Sequence, residues 1–337
     1  MKSSLVLTLS AISLLTACSG GGNGFNEDGN GNNGGNVPGP GGSNGETLAI
    51  TTDNALAVSR VSYQAALASG ALAGFTSGTG LVSTAPGGVS KIDGSLATSS
   101  KIGDPTSSVP IPETIEACLE GGTTTLSGEI ADPLTPTLTP GDSFDIFYSM
   151  CNDGFSVIDG GLFYEVVAFS GDILSSLYNL TMAATFTDFQ VTTAEDELVS
   201  NGDLTVRIDT RQFPSLETEV SGNSLIVDGT TSSVTMTDFS SLFTQDTGVS
   251  PSPYTQASAG TIDSSLLPGV VSYATPVDFE GFDADYPDTG VFVVYGANSS
   301  VRLTAIDNVN VRVEIDANGD SDYEQTIETS WTELEAQ

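Results

Sequence analysis

The stretch from Val301 to Ile315 reads VRLTAIDNVNVRVEI and carries the clearest strand pattern of the chain. In its second half, from Val311 to Ile315, apolar residues alternate with arginine and glutamate. A period of two places the apolar side chains on one face of a strand and the charged side chains on the other. The stretch therefore predicts two antiparallel strands with one buried and one solvated face.

Segments of the same kind, rich in Val, Ile, Thr, Phe and Tyr and separated by Gly, Asn and Asp, follow one another from Thr123 onward. The predicted strands are Thr124–Ile130, Phe144–Met150, Gly161–Phe169, Leu180–Val191, Asp203–Thr210, Ser224–Asp228, Ser233–Phe239, Val291–Tyr295, Val301–Ile306, Asn310–Ile315 and Tyr323–Trp331. Their short connections leave no room for crossover helices, which favours an antiparallel meander. We predict an all-β fold of about ten strands in a curved sheet or half-open barrel, with a two-sheet sandwich as the alternative.

An alanine-rich segment before the strands predicts one N-terminal helix over about residues 53–73. Thr52 and Asp53 suit its N-cap, and Val58, Val61 and Ala65 recur at helical spacing. Small side chains on this stripe suit packing against the concave face of the sheet. Residues 47–337 are thus expected to form a single β-rich domain, with loops rich in Ser, Thr, Gly and Pro from Gly74 to about Pro112.

An internal similarity is visible within the strands. The sequence TFTDF at Thr185–Phe189 is matched by TMTDF at Thr235–Phe239. We interpret the pair as repeated hairpin units of one sheet.

The first eighteen residues have the pattern of a signal peptide that ends in a cysteine. Lys2 precedes an apolar run, Leu5–Leu15, that is too short to span a bilayer. Residues 15–18 read LTAC, which resembles the lipobox of bacterial lipoproteins. The resemblance implies that residues 1–17 are removed, that Cys18 is acylated, and that Ser19 in place of Asp directs the protein to the outer membrane. The expected partner is the lipid bilayer, with the domain facing the periplasm or the cell surface.

Residues 18–46 follow the lipobox and consist mostly of glycine and asparagine. Such a composition cannot bury enough apolar surface to order itself, so this segment is predicted to be a flexible tether.

The charge of the chain excludes several functions. With 43 Asp+Glu against 8 Lys+Arg, the formal net charge is −35, which repels nucleic acids. The chain has no His, and this removes the Ser-His and Cys-His relays as well as the commonest zinc ligand. We expect a protein that is not an enzyme. The alternatives are a carbohydrate-active hydrolase that uses an Asp/Glu pair and a carrier of apolar ligands in a half-barrel.

Two cysteines remain besides Cys18. Cys118 lies just before the first predicted strand and Cys151 just after the second. Export would place both in an oxidising compartment, and hairpin geometry would bring them close, so a Cys118–Cys151 disulfide is predicted.

The loop from Asp316 to Glu324 is the best candidate for a functional site. Oxygen-bearing side chains recur at every second position, at Asp316, Asn318, Asp320, Asp322 and Glu324. Short loops wrap a hard cation in this way, and the pattern resembles the D-x-N-x-D loops of β-structured calcium proteins. The predicted cofactor is Ca²⁺. A plain acidic hairpin, with a type I′ turn at Asn318-Gly319, is the alternative.

The body of the chain resembles a group of uncharacterised Gram-negative outer-membrane lipoproteins. The similarity lies in Tyr295–Thr304, Ile315–Asp320, Trp331–Leu334, Cys118–Thr123 and Cys151. It implies a location and an architecture but no activity. The expected function is a non-enzymatic binding or envelope-structural domain, with an unidentified envelope or glycan ligand.

Overall fold

The computed structural model of the protein describes residues 45–76, 108–134, 137–172, 176–194, 197–282 and 285–336. Its strands form one antiparallel sheet of fourteen, in which each strand pairs with its neighbours in the chain. They are β1 (Val109–Ala117), β2 (Thr123–Ile130), β3 (Ser143–Asn152), β4 (Val157–Asp172), β5 (Leu177–Thr192), β6 (Glu197–Asp209), β7 (Ser215–Gly229), β8 (Ser233–Asp246), β9 (Pro253–Ser264), β10 (Val271–Phe282), β11 (Thr289–Gly296), β12 (Ser299–Ala305), β13 (Asn310–Asp316) and β14 (Gln325–Ser330).

The predicted all-β meander is confirmed, with more strands than expected. Within the described residues β1 and β14 each pair on one side only, so the sheet is open, and the alternative of two packed sheets was wrong. The strands missing from the prediction are β1, β9 and β10.

Among the described residues, two helices accompany the sheet. The predicted N-terminal helix is α1 (Ala55–Thr76), which begins and ends slightly later than expected. Asn54, rather than Thr52 or Asp53, is the residue before it. The Asn54 side chain accepts a hydrogen bond from the Thr51 N–H (2.8 Å) and donates one to the Ala49 carbonyl (3.0 Å). A second short helix that the sequence pattern did not predict, α2 (Trp331–Ala336), follows β14.

The sheet curves around α1, which contacts β7–β9 and β11–β13. The predicted stripe of Val58, Val61 and Ala65 is buried, but so are Ser59 and Tyr63, which lie outside that stripe. Because side chains around more than one side of the helix are buried, the helix is enclosed rather than laid on a flat surface.

The two ends of the sheet are distinct. Residues 45–50 run past the connections β9–β10 and β11–β12. The Leu48 N–H donates to the Val270 carbonyl (2.9 Å), the Ala297 N–H to the Leu48 carbonyl (2.7 Å), and the Ile50 N–H to Ser299 Oγ (2.7 Å). We call the end with these connections the proximal end. In a meander every second connection lies at the same end, so β13–β14 is proximal and β12–β13 is distal.

The predicted disulfide is present at the β1 edge. Cys118 and Cys151 are bonded, with Cα atoms 5.4 Å apart, and so join the end of β1 to the end of β3. The hydroxyl of Thr124, on the intervening strand β2, lies 3.4 Å and 3.5 Å from the two sulfur atoms. Closing a loop of this length contributes about 4 kcal/mol by restricting the unfolded chain.

The two similar segments TFTDF and TMTDF share a local backbone feature. Asp188 and Asp238 both have positive φ, 46° and 48°. The strand register shifts at each position, and a fully buried phenylalanine, Phe189 or Phe239, follows. The segments lie on β5 and β8, which run in opposite directions, so they are two similar β-bulges rather than successive copies of one hairpin.

Candidate metal site

The candidate site is the proximal connection between β13 and β14. It spans Ala317–Glu324 together with Asp316, the last residue of β13. The segment from Asp316 to Glu324 carries four carboxylates. Gly319 lies so close to the β11–β12 turn that a Cβ there would be 2.7 Å from the Asn298 carbonyl oxygen. The loop is therefore packed against a neighbouring turn rather than projecting freely.

Asp316 is the buried member of the loop, with 3% of its surface exposed. Its Oδ1 accepts a hydrogen bond from the Gly319 N–H (2.7 Å), and its Oδ2 accepts one from the Ser321 N–H (3.0 Å). Gly319 and Ser321 adopt positive φ, 76° and 70°. By accepting these two backbone N–H groups, the Asp316 carboxylate stabilises the turns of the loop and so determines where the following oxygen-bearing side chains lie.

The structure brings three carboxylates together. One oxygen each from Asp316, Asp320 and Glu324 lie within 4.8 Å of one another, with Asp316 buried and the other two exposed. The backbone between them is held by Asn318, whose Oδ1 accepts from the Asp320 N–H (2.9 Å) and whose Nδ2 donates to Glu324 Oε1 (2.5 Å).

The spacing of these oxygens is compatible with a hard divalent cation. Two oxygens that each lie about 2.4 Å from one Ca²⁺ are at most about 4.8 Å apart, and the three oxygens satisfy that limit. The triad is open to solvent on the side of Asp320 and Glu324, so water can complete the coordination.

Arg302 ties the loop to the outer face of the sheet. Its guanidinium pairs with both carboxylate oxygens of Glu314 at 2.8 Å and lies 4.0 Å from the centre of the Tyr323 ring. Ser300 Oγ donates to Tyr323 Oη at 3.4 Å. The Arg302 hydrogen bonds hold the pKa of Glu314 below its ordinary value. Arg302 is therefore occupied by Glu314 and the tyrosine ring and does not neutralise the triad.

Three of the five residues predicted for the metal form the triad. Asn318 acts through the backbone and through Glu324, while Asp322 donates its N–H to Asp320 Oδ1 (2.9 Å) and does not add a carboxylate to the group. The residues that the prediction missed are Arg302 and Tyr323. Arg302 and Glu314 face each other across the β12–β13 hairpin, so their pairing could have been found from the register of Val301–Ile306 against Asn310–Ile315.

Cys18, the predicted lipidation site, lies outside the described residues. The predicted tether lies outside them as far as residue 44. None of the described helices is long and apolar enough to cross a membrane. Comparison with family models, with curated proteins and with solved structures found no significant match to the chain.

Proposed function

We propose that the protein is a lipid-anchored outer-membrane lipoprotein whose β-sheet domain is a non-enzymatic binding or envelope-structural module organised by Ca²⁺ at its proximal end. The observation that carries the metal part is the group of three carboxylate oxygens from Asp316, Asp320 and Glu324 within 4.8 Å. Three carboxylates held this close repel one another, and a divalent cation removes that repulsion.

The anchor part of the proposal is supported by the N-terminal sequence. A lysine, a short apolar run and LTAC ending at Cys18 are the pattern of a lipoprotein signal. Several acyl chains, each CH₂ contributing about 0.8 kcal/mol on burial, would hold a folded domain at a membrane without a spanning helix.

The first test is a calorimetric titration of the purified protein with Ca²⁺, paired with thermal unfolding in chelator and in Ca²⁺. We expect a binding heat and a higher Tm in Ca²⁺, because a ligand that binds only the folded state stabilises it. The variant Asp316→Asn/Asp320→Asn should lose both effects.

The matched control is Asp278→Asn/Asp285→Asn. It removes the same charge from exposed acidic positions near the distal end. This variant should bind Ca²⁺ as the unmodified protein does. No heat and no shift in Tm for the unmodified protein, or equal loss in both variants, would reduce the loop to an acidic hairpin.

A second test addresses the anchor. In a Gram-negative host the protein should sediment with outer membranes, and Cys18→Ser should prevent acylation and leave the protein without the attached lipid by mass spectrometry. Retention of an acyl mass in the Cys18→Ser variant would contradict the assignment of the anchor to this residue.

A further inference from the structure

The distal end of the sheet carries a row of exposed apolar side chains. Each of its connections contains or directly adjoins at least one. From β2–β3 to β12–β13 these are Leu134, Leu177 at the start of β5, Phe213, Val249, Phe282 at the end of β10, and Ile306 with Val309. Among the described residues of the proximal connections and the strand residues directly beside them, large exposed apolar side chains occur only at Leu119, Phe155 and Leu266. Since exposing a large apolar side chain is unfavourable, one at every turn of one end indicates a surface that meets a partner.

The connections at the centre of this row are neighbours. The β8–β9 turn packs on the β6–β7 turn, with the Thr247 N–H donating to the Pro214 carbonyl at 2.9 Å. The other side of the β8–β9 turn leads into Pro253, which pairs with Phe282. Phe213, Val249 and Phe282 are 72%, 52% and 44% exposed. We call these three side chains the distal rim; neighbouring distal turns are about 10 Å apart because each is separated by two strands.

The surroundings of the distal rim are acidic. Glu280 and Asp285 are exposed beside Phe282, and Asp246 lies three residues before Val249. The nearby cation, Arg211, pairs with Asp209 at 2.6 Å and so contributes little positive potential. The whole chain adds a formal charge of −35.

We propose that the distal rim binds a cationic amphipathic polypeptide segment. Spaced apolar tips match the apolar stripe of an amphipathic segment, and the carboxylates around them match its lysines or arginines. The same negative charge opposes a second copy of this chain and an anionic lipid surface. A neutral lipid surface would gain nothing from the carboxylates.

The test measures fluorescence anisotropy of a labelled synthetic Lys/Leu amphipathic peptide with the full chain carrying Cys18→Ser, so that no acyl group takes part. A Lys/Ser peptide of equal charge and a Gln/Leu peptide of equal apolar content are the comparison probes. We expect the Lys/Leu peptide to bind most tightly and its affinity to fall with added salt.

The pair Phe213→Ser/Val249→Ser should lower the affinity for the Lys/Leu peptide at least about tenfold, since each buried apolar side chain contributes roughly that factor. Val249→Ser/Phe282→Ser provides a second variant that leaves the residue before Pro214 unchanged. Leu119→Ser/Phe155→Ser at the proximal end is the matched control and should bind normally. Thermal unfolding confirms that each variant is folded.

Equal binding of the Lys/Ser peptide, or unchanged affinity in both rim variants, would overturn the proposal. Rim-dependent binding of phosphatidylcholine vesicles in place of the peptide would identify a lipid surface instead. Rim-dependent self-association would identify a second copy. None of these outcomes bears on Ca²⁺ at the proximal end, because the two surfaces share no residue.

Discussion

Glu335 is a carboxyl group buried in an aromatic layer. Only 6% of its surface is exposed. Its Oε2 accepts a hydrogen bond from Tyr286 Oη at 2.6 Å, while Oε1 is buried and has no hydrogen-bond partner among the described residues. The ring of Trp331 stacks between Tyr286 and Tyr63, with centres 5.8 Å and 5.1 Å away. Burial raises the pKa of Glu335 above its ordinary value, because the charged form is poorly solvated there.

This gives a pH-dependent prediction for Glu335→Gln. A raised pKa in the folded state means that the contribution of Glu335 to stability is fully present below its unfolded pKa of about 4.3 and is lost as the pH rises through the folded value. Glutamine keeps an acceptor for Tyr286 and carries no charge. We expect the variant to have a Tm a few degrees above that of the unmodified protein at pH 8, and the difference to shrink towards pH 4.

Glu333, on the same helix, supplies a control of opposite sign. The Ser330 N–H and the Thr329 hydroxyl hold its pKa below the ordinary value. Glu333→Gln should therefore give no stabilisation at pH 8. An unchanged or lower Tm for Glu335→Gln at pH 8 would show that the buried carboxylate is stabilised by a contact beyond Tyr286.

At the scale of single elements, the strands that the sequence pattern predicted are those with clean alternation. β1 was not predicted because it contains Pro110 and Pro112, which are unusual in strands. It is the edge strand of the sheet, where a proline without an N–H can be accommodated. β10 was not predicted because it contains Pro276. This proline lies where the register of β10 against β11 shifts, between Ala274 and Val277. A proline is tolerated at such a bulge, but sequence alone does not say where the bulge falls.

β9 was missing from the prediction for a different reason. β9 reads PYTQASAGTIDS, and its small residues lack the β-branched pattern that marks a strand. Gly260 in this strand is required by a close approach, since a Cβ there would lie 2.9 Å from both the Cβ of Phe239 and Tyr273 Oη. The strand is therefore specified by its neighbours, and that information is not local in sequence.

For the loop from Asp316 to Glu324, the sequence predicted the candidate ligand residues but only part of their arrangement in space. Alternate oxygen side chains identified all the carboxylates of the loop, including the triad Asp316, Asp320 and Glu324. Which of them converge depends on backbone turns at Gly319 and Ser321 and on the approach of Asn298 from another hairpin. The alternation in the sequence is that of a strand, whereas the loop has positive φ at Gly319 and Ser321, and Asp322 is not part of the triad.

Two electrostatic effects on the stability of the protein oppose each other. Within the part of the chain that the structure describes, favourable ion pairs are few and local. Arg207 contacts Asp209, Glu217 and Glu219. The hydrogen bonds from Arg211, together with the Asn179 amide, hold the pKa of Asp209 well below its ordinary value. Against these pairs stands the self-repulsion of a chain with a formal charge of −35. Added salt weakens both effects, so its net influence on stability shows which is larger.

We expect self-repulsion to dominate, because 43 acidic residues face only 8 basic ones. The Tm should therefore rise between about 0.02 M and about 0.5 M NaCl, as the Debye length falls from roughly 20 Å to below 5 Å. Asp316→Asn/Asp320→Asn should show nearly the same rise, because two charges are a small part of the total. Ca²⁺ added at the higher NaCl concentration should then raise the Tm of the unmodified protein alone, which separates site binding from screening. A Tm that falls with NaCl would mean that the ion pairs of Arg207, Arg211, Arg302 and Arg312 together contribute more than the repulsion, so that self-repulsion does not limit stability.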